Sequence, residues 1–187
     1  MACADLGVDA LGVNLWSGSS RFCDDATARA IAQAVGGRIR LVAVTVNRDE
    51  AGLRAVRTHL GIPWLQLHGE ESAALLEALT PCAMRAVQVG SAADLAEARA
   101  TPGEELVVDA RVQGVRGGSG ALSDWASAAI LARERRVWLA GGITAENAAA
   151  ALEAVHPYGL DVASGAESAP GVKDLARVAA LLAVARG

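Results

Sequence analysis

Lysine is almost missing from this chain: it occurs once, at Lys173, and the remaining fixed positive charge is arginine scattered along the sequence. With a formal net charge of −4 and an isoelectric point near 5.4, there is no basic field to hold a nucleic-acid backbone. A small-molecule partner is expected instead. Cysteine is also scarce. Cys3, Cys23 and Cys82 are odd in number and stand at no metal-ligand spacing, which argues against a disulfide framework and offers no metal site. A reducing cytoplasm fits this usage. No apolar stretch approaches the roughly 20 residues of a membrane-spanning helix. Met1 to Asp9 has two aspartates and no basic region, unlike a secretory signal. The sequence therefore predicts a soluble cytoplasmic protein that contacts neither nucleic acid nor membrane.

What is abundant is apolar. At 187 residues and 52% hydrophobic content, the chain can bury one sizeable core and is too short for two, so residues 1–187 are read as a single domain. Short runs rich in β-branched residues recur, each followed by an alanine-rich segment with helical spacing. Strands are predicted at Ala10–Leu15, Ile39–Val46, Trp64–Leu67, Ala83–Val89, Leu106–Asp109, Val137–Ala140 and Leu160–Ala163. Helices are predicted at about 24–35, 49–60, 70–79, 91–100, 124–134, 144–155 and 172–185, with Asp24, Ser72, Asp94, Ser123 and Thr144 placed to cap five of them. Continuous apolar strands are buried on both faces, as a parallel sheet with helical crossovers requires. An α/β fold follows. Seven βα units fit either an open doubly wound sheet or a (β/α)8 barrel lacking one unit, and both gather functional groups at the C-terminal ends of the strands.

Two strand ends suggest an anion site. Val137–Ala140 runs into Gly141-Gly142-Ile143-Thr144, and Leu160–Ala163 runs into Ser164-Gly165. Glycines there let backbone amides approach a phosphate, and a helix N-terminus adds favourable charge. Taken singly, each loop could equally be a tight turn; together, at the last two strands, they favour phosphate. Asp109 ends another apolar strand and opens the long glycine-rich loop Ala110 to Ser123. A partly desolvated carboxyl in that position can hold a proton for general acid work, or it can simply cap the loop. Gln66 and His68 flank Leu67 and share one side of their strand, toward either the barrel mouth or the helices. A lone histidine there is more often structural than a base. Asp161 invites the same caution, since a buried aspartate needs a polar partner. Arg21, in the loop Ser17-Gly18-Ser19-Ser20-Arg21, could clamp a carboxylate with its bidentate fork, although exposed loop arginines commonly do nothing specific.

Together these segments resemble phosphoribosylanthranilate isomerase across nearly the whole chain. The resemblance rests on Ala10-Leu11-Gly12-Val13 with the loop to Arg21, Gln66-Leu67-His68-Gly69, and Asp109 ahead of Gly117-Gly118-Ser119-Gly120 and Asp124-Trp125. It continues through Leu139-Ala140-Gly141-Gly142, Gly159 to Gly165, and Ala169-Pro170-Gly171-Val172-Lys173-Asp174. It implies a (β/α)8 barrel that performs an Amadori rearrangement on N-(5-phosphoribosyl)anthranilate without metal or cofactor. By the same resemblance Asp109 matches the general acid and Arg21 the residue holding the anthranilate carboxylate. Gly141, Gly142, Ser164 and Gly165 match the phosphate cradle, and Gln66, His68 and Asp161 are supporting polar groups of the mouth.

Two departures qualify this. The family's general base is a cysteine in a Lys-x-Cys-Gly motif on its first strand, whereas Met1 to Val8 resembles the second half of the first helix. The expectation is a barrel whose first strand would lie upstream, with seven βα units present and two open edges that invite self-association. Cys3, Cys23 and Cys82 are poor replacements for the base. Ser119-Gly120-Ala121-Leu122 also stands where the family usually has a lysine and a threonine. A non-catalytic phosphosugar-binding remnant or assembly subunit is the alternative to an isomerase. Another phosphosugar barrel enzyme, such as an epimerase, would need an acid/base pair and metal ligands that the sequence does not offer.

Overall fold

The computed structural model describes residues 2–109 and 121–187. A short helix, α1 (Ala2–Asp5), leads into β1 (Ala10–Asn14), α2 (Asp25–Val35), β2 (Arg40–Thr45), α3 (Glu50–Leu60), β3 (Trp64–Leu67) and α4 (Ala73–Leu79). The chain continues as β4 (Ala83–Gln88), α5 (Ala92–Ala100), β5 (Glu105–Asp109), α6 (Ala121–Ala132), β6 (Arg136–Ala140), α7 (Ala145–Val155) and β7 (Gly159–Leu160). A 3₁₀ turn (Ser164–Ala166), a small antiparallel pair β8 (Glu167–Ala169) and β9 (Val172–Lys173), and α8 (Leu175–Arg186) complete it. Strands β1 to β7 form one parallel sheet in sequence order.

Alternation along each strand divides the side chains. Leu106 and Val108 of β5 join the cluster shared with α6, α7 and α8, while Leu65 and Leu67 of β3 join the one shared with α2, α3 and α4. Val107 points the other way, into a cluster of strand residues alone: Val42, Met84 and Val107 with Trp64, Ala86, Trp138 and Ala140. A sheet whose inner face packs on itself is a barrel wall. This settles the choice between open sheet and barrel for the barrel.

The N-terminal pole is sealed. Arg40, at the start of β2, reaches across the interior to the buried carboxylate of Glu105 on β5 at 2.6 Å. Its guanidinium lies over Trp64 at 3.9 Å and near Trp138 at 5.7 Å, and the Trp138 indole donates to Glu105 at 2.7 Å. This plug fills the interior at the N-terminal pole, and the functional groups gather at the C-terminal ends of the strands.

Among the described residues β1 pairs only with β2 and β7 only with β6, so the two edges face each other unpaired. Contacts span the seam at both poles. Arg21 is bound to Glu167 at the mouth, and at the opposite pole Arg186 donates to the Gly7 carbonyl and stands 4.0 Å from Asp9.

The helix starts correct several sequence expectations. Asp24, Ser72 and Thr144 cap as expected, but α5 is capped by Ser91, whose hydroxyl accepts from Asp94. Asp94 instead turns its carboxylate back to the Gly90 amide. A first-turn acid, favoured by the helix dipole, was mistaken for the cap. Helix α6 begins at Ala121, ahead of Ser123, and α4 begins at Ala73 rather than near 70 because Gly69 and Glu71 are engaged in the loop before it. The last strand stops at Leu160, and the final helix starts at Leu175 because Val172–Lys173 pairs with β8. The expected glycine loop, from 110 through 120, lies outside the described residues.

Candidate functional site

The mouth is assembled by register. On the inner face, Val44, Gln66 and Met84 stand level on β2, β3 and β4. Two inner-face positions beyond Met84, Gln88, Asp109 and Ala140 stand level on β4, β5 and β6. Asp109 follows Val107 on the inner side and retains 9% of its surface, so it is a nearly buried carboxyl that looks into the mouth. Gln66, also buried, brings its amide nitrogen to 3.5 Å from His68 Nδ1. The alternative left open by alternation is resolved: both face inward.

His68 lies just past β3, with its amide donating to the Thr45 carbonyl. The loop that carries it is tied down from β2. Glu71, buried, accepts from the amides of Asn47 (2.8 Å) and Gly69 (3.0 Å), while Asn47 Oδ1 accepts from Glu70. A Cβ on Gly69 would stand 2.8 Å from Asn47 Cγ, so the position admits only glycine without displacing that brace. Glu71 and Asn47 carry no functional signature in the sequence, since their partnership joins segments 24 residues apart.

Asp161 follows β7, held by its amide to the Leu139 carbonyl at 2.8 Å. Burial pushes its carboxyl above the ordinary range. The positive charge of Lys173 and the His68 ring oppose that shift, and Asp109 reinforces it. Lys173, His68 and Asp109 are thus close enough to bias the protonation of Asp161, with burial the largest influence.

The two glycine loops meet. Gly141 and Gly142 have φ of 96° and 68°, conformations that other residues adopt with strain. Asn147 in the first turn of α7 donates to the Gly142 carbonyl and accepts from the Thr144 amide, both at 2.9 Å. Gly165, in the 3₁₀ turn after β7, lies so close to this loop that a Cβ would overlap the Ile143 carbonyl oxygen. It would also stand 3.0 Å from the carbonyl carbon. The two loops touch beside the start of α7, and backbone amides next to a helix N-terminus are a combination that suits an anion.

Arg21 is drawn to the same end of the barrel. Its Nε donates to both oxygens of Glu167 (3.0 and 2.9 Å) and its Nη2 to one of them (2.7 Å). Lys173 donates to Glu167 at 3.1 Å. Burial alone would raise the Glu167 carboxyl, but the hydrogen bonds from Arg21 and Lys173 outweigh it and hold the group below its ordinary range. Sequence reasoning missed Glu167; its only local signal is the chain's single lysine six residues later.

The cysteines are elsewhere or unsuited. Cys3 is on α1, and Cys82 precedes β4 at the closed pole. Cys23 is near the mouth, but burial and the neighbouring Asp24 and Asp25 charges push its thiol up, away from the thiolate. Among the described residues no group of three or more histidine, cysteine or acidic side chains is placed to hold a metal ion.

A family model described as N-(5'phosphoribosyl)anthranilate (PRA) isomerase matches residues 1–184. The N-(5'-phosphoribosyl)anthranilate isomerase of Roseiflexus castenholzii is 38% identical to this chain, covering 100% of it and 92% of the relative. Among solved structures, phosphoribosyl anthranilate isomerase from Thermotoga maritima is similar with a TM-score of 0.87 at 29% identity, covering 100% of this chain and 92% of that one. A phosphoribosyl anthranilate isomerase in complex with reduced 1-(o-carboxyphenylamino)-1-deoxyribulose 5-phosphate is similar with a TM-score of 0.85 at 26% identity. It covers 100% of this chain and 91% of that one.

Proposed function

This chain belongs to the N-(5'-phosphoribosyl)anthranilate isomerase family, and from that premise we propose how its barrel mouth serves the Amadori rearrangement of tryptophan biosynthesis. The observation that carries the reading is a nearly buried Asp109 on the inner face at the end of β5, at the same end of the barrel as Gln66, His68 and two glycine loops that touch.

The substrate's 5'-phosphate sits against the backbone of Gly141, Gly142, Ser164 and Gly165, where oriented amides and the start of α7 favour its charge. Arg21 receives the anthranilate carboxylate. The two anchored ends set the ribose across the mouth, level with Asp109. Asp109 gives its proton to the ring oxygen as the C1–O bond breaks, and the anthranilate nitrogen lone pair forms the C1=N iminium. Loss of the C2 proton to a base then yields the enol-amine, which tautomerises to the 1-amino-1-deoxyketose. Atoms balance without an external reductant or cofactor. Gln66, His68 and Asp161 orient the sugar hydroxyls and hold the proton inventory of the mouth.

The C2 proton is assigned to the cysteine of the family's Lys-x-Cys-Gly strand, for which the facing edges of β1 and β7 have the direction and apolar character. The same edges are where copies of the chain would self-associate. Because Cys23 is poorly disposed to ionise, a second reading is a phosphosugar-binding remnant without turnover. Cytoplasmic placement is supported by a small phosphorylated substrate and by the finding that no described helix is long and apolar enough to cross a membrane.

The test follows consumption of phosphoribosylanthranilate by its fluorescence, in the chain preceded by a Lys-x-Cys-Gly strand with and without the substitution. Asp109→Asn is expected to lower kcat by about 10²–10⁴-fold, the range for a lost general acid, while binding of the reduced product changes by less than about threefold (an affinity difference well under 1 kcal/mol). Equal turnover by the variant removes Asp109 from the mechanism. Binding without turnover in both proteins favours the remnant.

A further inference from the structure

We propose that Glu167, seconded by Lys173, is a positioning residue that fixes the Arg21 guanidinium for the carboxylate of the ligand's aromatic ring. This rests on the reading of Arg21 given above and adds to it the group that determines where Arg21 stands.

Arg21 is carried by a loop after β1, on one edge of the sheet, whereas Glu167 opens β8 after β7, on the other edge. The contact between them joins residues 146 apart in sequence. It is a side-on fork in which Nε and Nη2 meet both carboxylate oxygens, so it fixes the plane of the guanidinium as well as its location. The Glu167 side chain keeps only 4% of its surface and Arg21 31%. An ion pair so placed is not a solvated surface bridge, and its geometry is not left to rotamer averaging.

Glu167 is itself fixed. Lys173 Nζ donates to its Oε1 at 3.1 Å and stands 3.3 Å from the carbonyl of Ala163, two residues after Asp161. Arg177 Nη1 donates to the Glu167 backbone carbonyl at 2.6 Å, and the carboxylate of Asp174 lies 3.7 Å from the Arg177 Nε. The clamp is therefore referenced to the end of β7, the same strand end that presents Asp161 and the 3₁₀ turn of the phosphate loops. Carboxylate recognition and phosphate recognition share one rigid base.

Lys173 also acts on Asp161, so the clamp and the mouth share one cation beside the bond to Glu167. With Nε and Nη2 both engaged by Glu167, the guanidinium plane is set before a ligand carboxylate arrives.

The experiment is calorimetric titration of the 187-residue chain with two ligands. One is reduced 1-(o-carboxyphenylamino)-1-deoxyribulose 5-phosphate; the other is its phenylamino counterpart, which lacks only the carboxylate. The native chain is expected to prefer the carboxylated ligand by about tenfold or more, as a charge-assisted contact provides. Glu167→Gln removes the negative charge and turns amide hydrogens toward Arg21. It should erase most of that preference, weakening the first ligand by about tenfold and the second by less than about twofold. Arg21→Ala should erase the preference too, and the double variant should lose nothing further.

If Glu167→Gln weakens both ligands equally, Glu167 is merely structural and the inference fails. It also fails if that variant keeps the full preference while Arg21→Ala loses it. If Arg21→Ala keeps the preference, or the native chain has none, the reading of Arg21 falls first. Should Glu167→Gln not fold, judged by its circular dichroism, Glu167→Asp takes its place. That variant keeps the charge one methylene short, and an undiminished preference in it would also overturn the proposal.

Discussion

Gly165→Ala isolates the union of the two glycine loops from every other feature of the site. Gly165 does not occupy the left-handed region, so alanine brings no intrinsic backbone strain. Its whole effect is steric. The added carbon would overlap the Ile143 carbonyl oxygen and stand 3.0 Å from the carbonyl carbon and 3.1 Å from Thr144 Cα. All three atoms are backbone and cannot rotate away, and ordinary carbon contacts are about 3.5–4.0 Å. The 3₁₀ turn and the β6–α7 loop must therefore part by roughly 1 Å. Overpacking of this kind costs about 1–3 kcal/mol of stability. A phosphate held by both loops would lose one or two of its charged hydrogen bonds, at about 1.5–3 kcal/mol each, so its affinity should fall by roughly 10- to 100-fold. Gly37→Ala, between α2 and β2 and away from the mouth, is the control. Its φ is 75° and no atom lies within 4 Å of the new carbon, so it carries strain of about 1–2 kcal/mol without touching the loops. Titration of both variants with the reduced product, alongside thermal unfolding, reads the difference. Equal affinity losses in the two variants, or none with Gly165→Ala, would refute the argument that loop contact builds the phosphate site.

Glu105→Ala should strip the carboxylate from the plug at the closed pole and leave Arg40 buried between Trp64 and Trp138 without its partner. The expected loss is about 3–5 kcal/mol, read as a Tm drop of at least roughly 6 °C at the 2–4 °C per kcal/mol usual for this size; a Tm within 2 °C of native (about 1 kcal/mol or less) would show that the plug is dispensable. Cys23→Ser should leave turnover unchanged within about twofold, since a thiol pushed upward is a poor base; a large kcat loss would make Cys23 the base. For Glu167, a folded pKa below the unfolded one gives stability that is present above the unfolded value near 4.3 and lost as pH falls through the folded value. Acid unfolding midpoints should therefore shift to higher pH in Arg21→Ala, and identical midpoints would contradict the assignment.

The parallel sheet was legible because its signal is local. Apolar runs such as Leu106–Val108 bury both faces, as open and closed parallel sheets alike require, and only the packing of Val107 with the other inward strand residues separates barrel from open sheet. Asp109 and the Gly141–Gly142 turn were legible for a related reason: each sits where a strand ends, and strand ends are the one place this architecture opens. The contacts that complete the mouth were not. Glu167 answers Arg21 across the seam, Glu71 braces the His68 loop from below, and Gly165 touches Ile143 through space. None leaves a periodic or compositional trace, because each depends on how the sheet curls. The capping of α5 failed for a smaller reason, since serine at 91 and aspartate at 94 both suit a first turn and only the backbone geometry of Ser91 separates cap from interior.

The central claim is that this mouth performs the acid half of an isomerisation whose base arrives on a strand between β1 and β7. Its most direct test is phosphoribosylanthranilate consumption, followed by fluorescence. Three proteins are compared: the 187-residue chain, the same chain preceded by a Lys-x-Cys-Gly strand, and the extended chain bearing Asp109→Asn. Turnover is expected from the extended chain, with a fall of about 10²–10⁴-fold on losing Asp109, and little from the 187 residues alone. Turnover by those 187 residues that is as fast as the extended chain's, and indifferent to Asp109, would rule out both the acid and the strand-borne base.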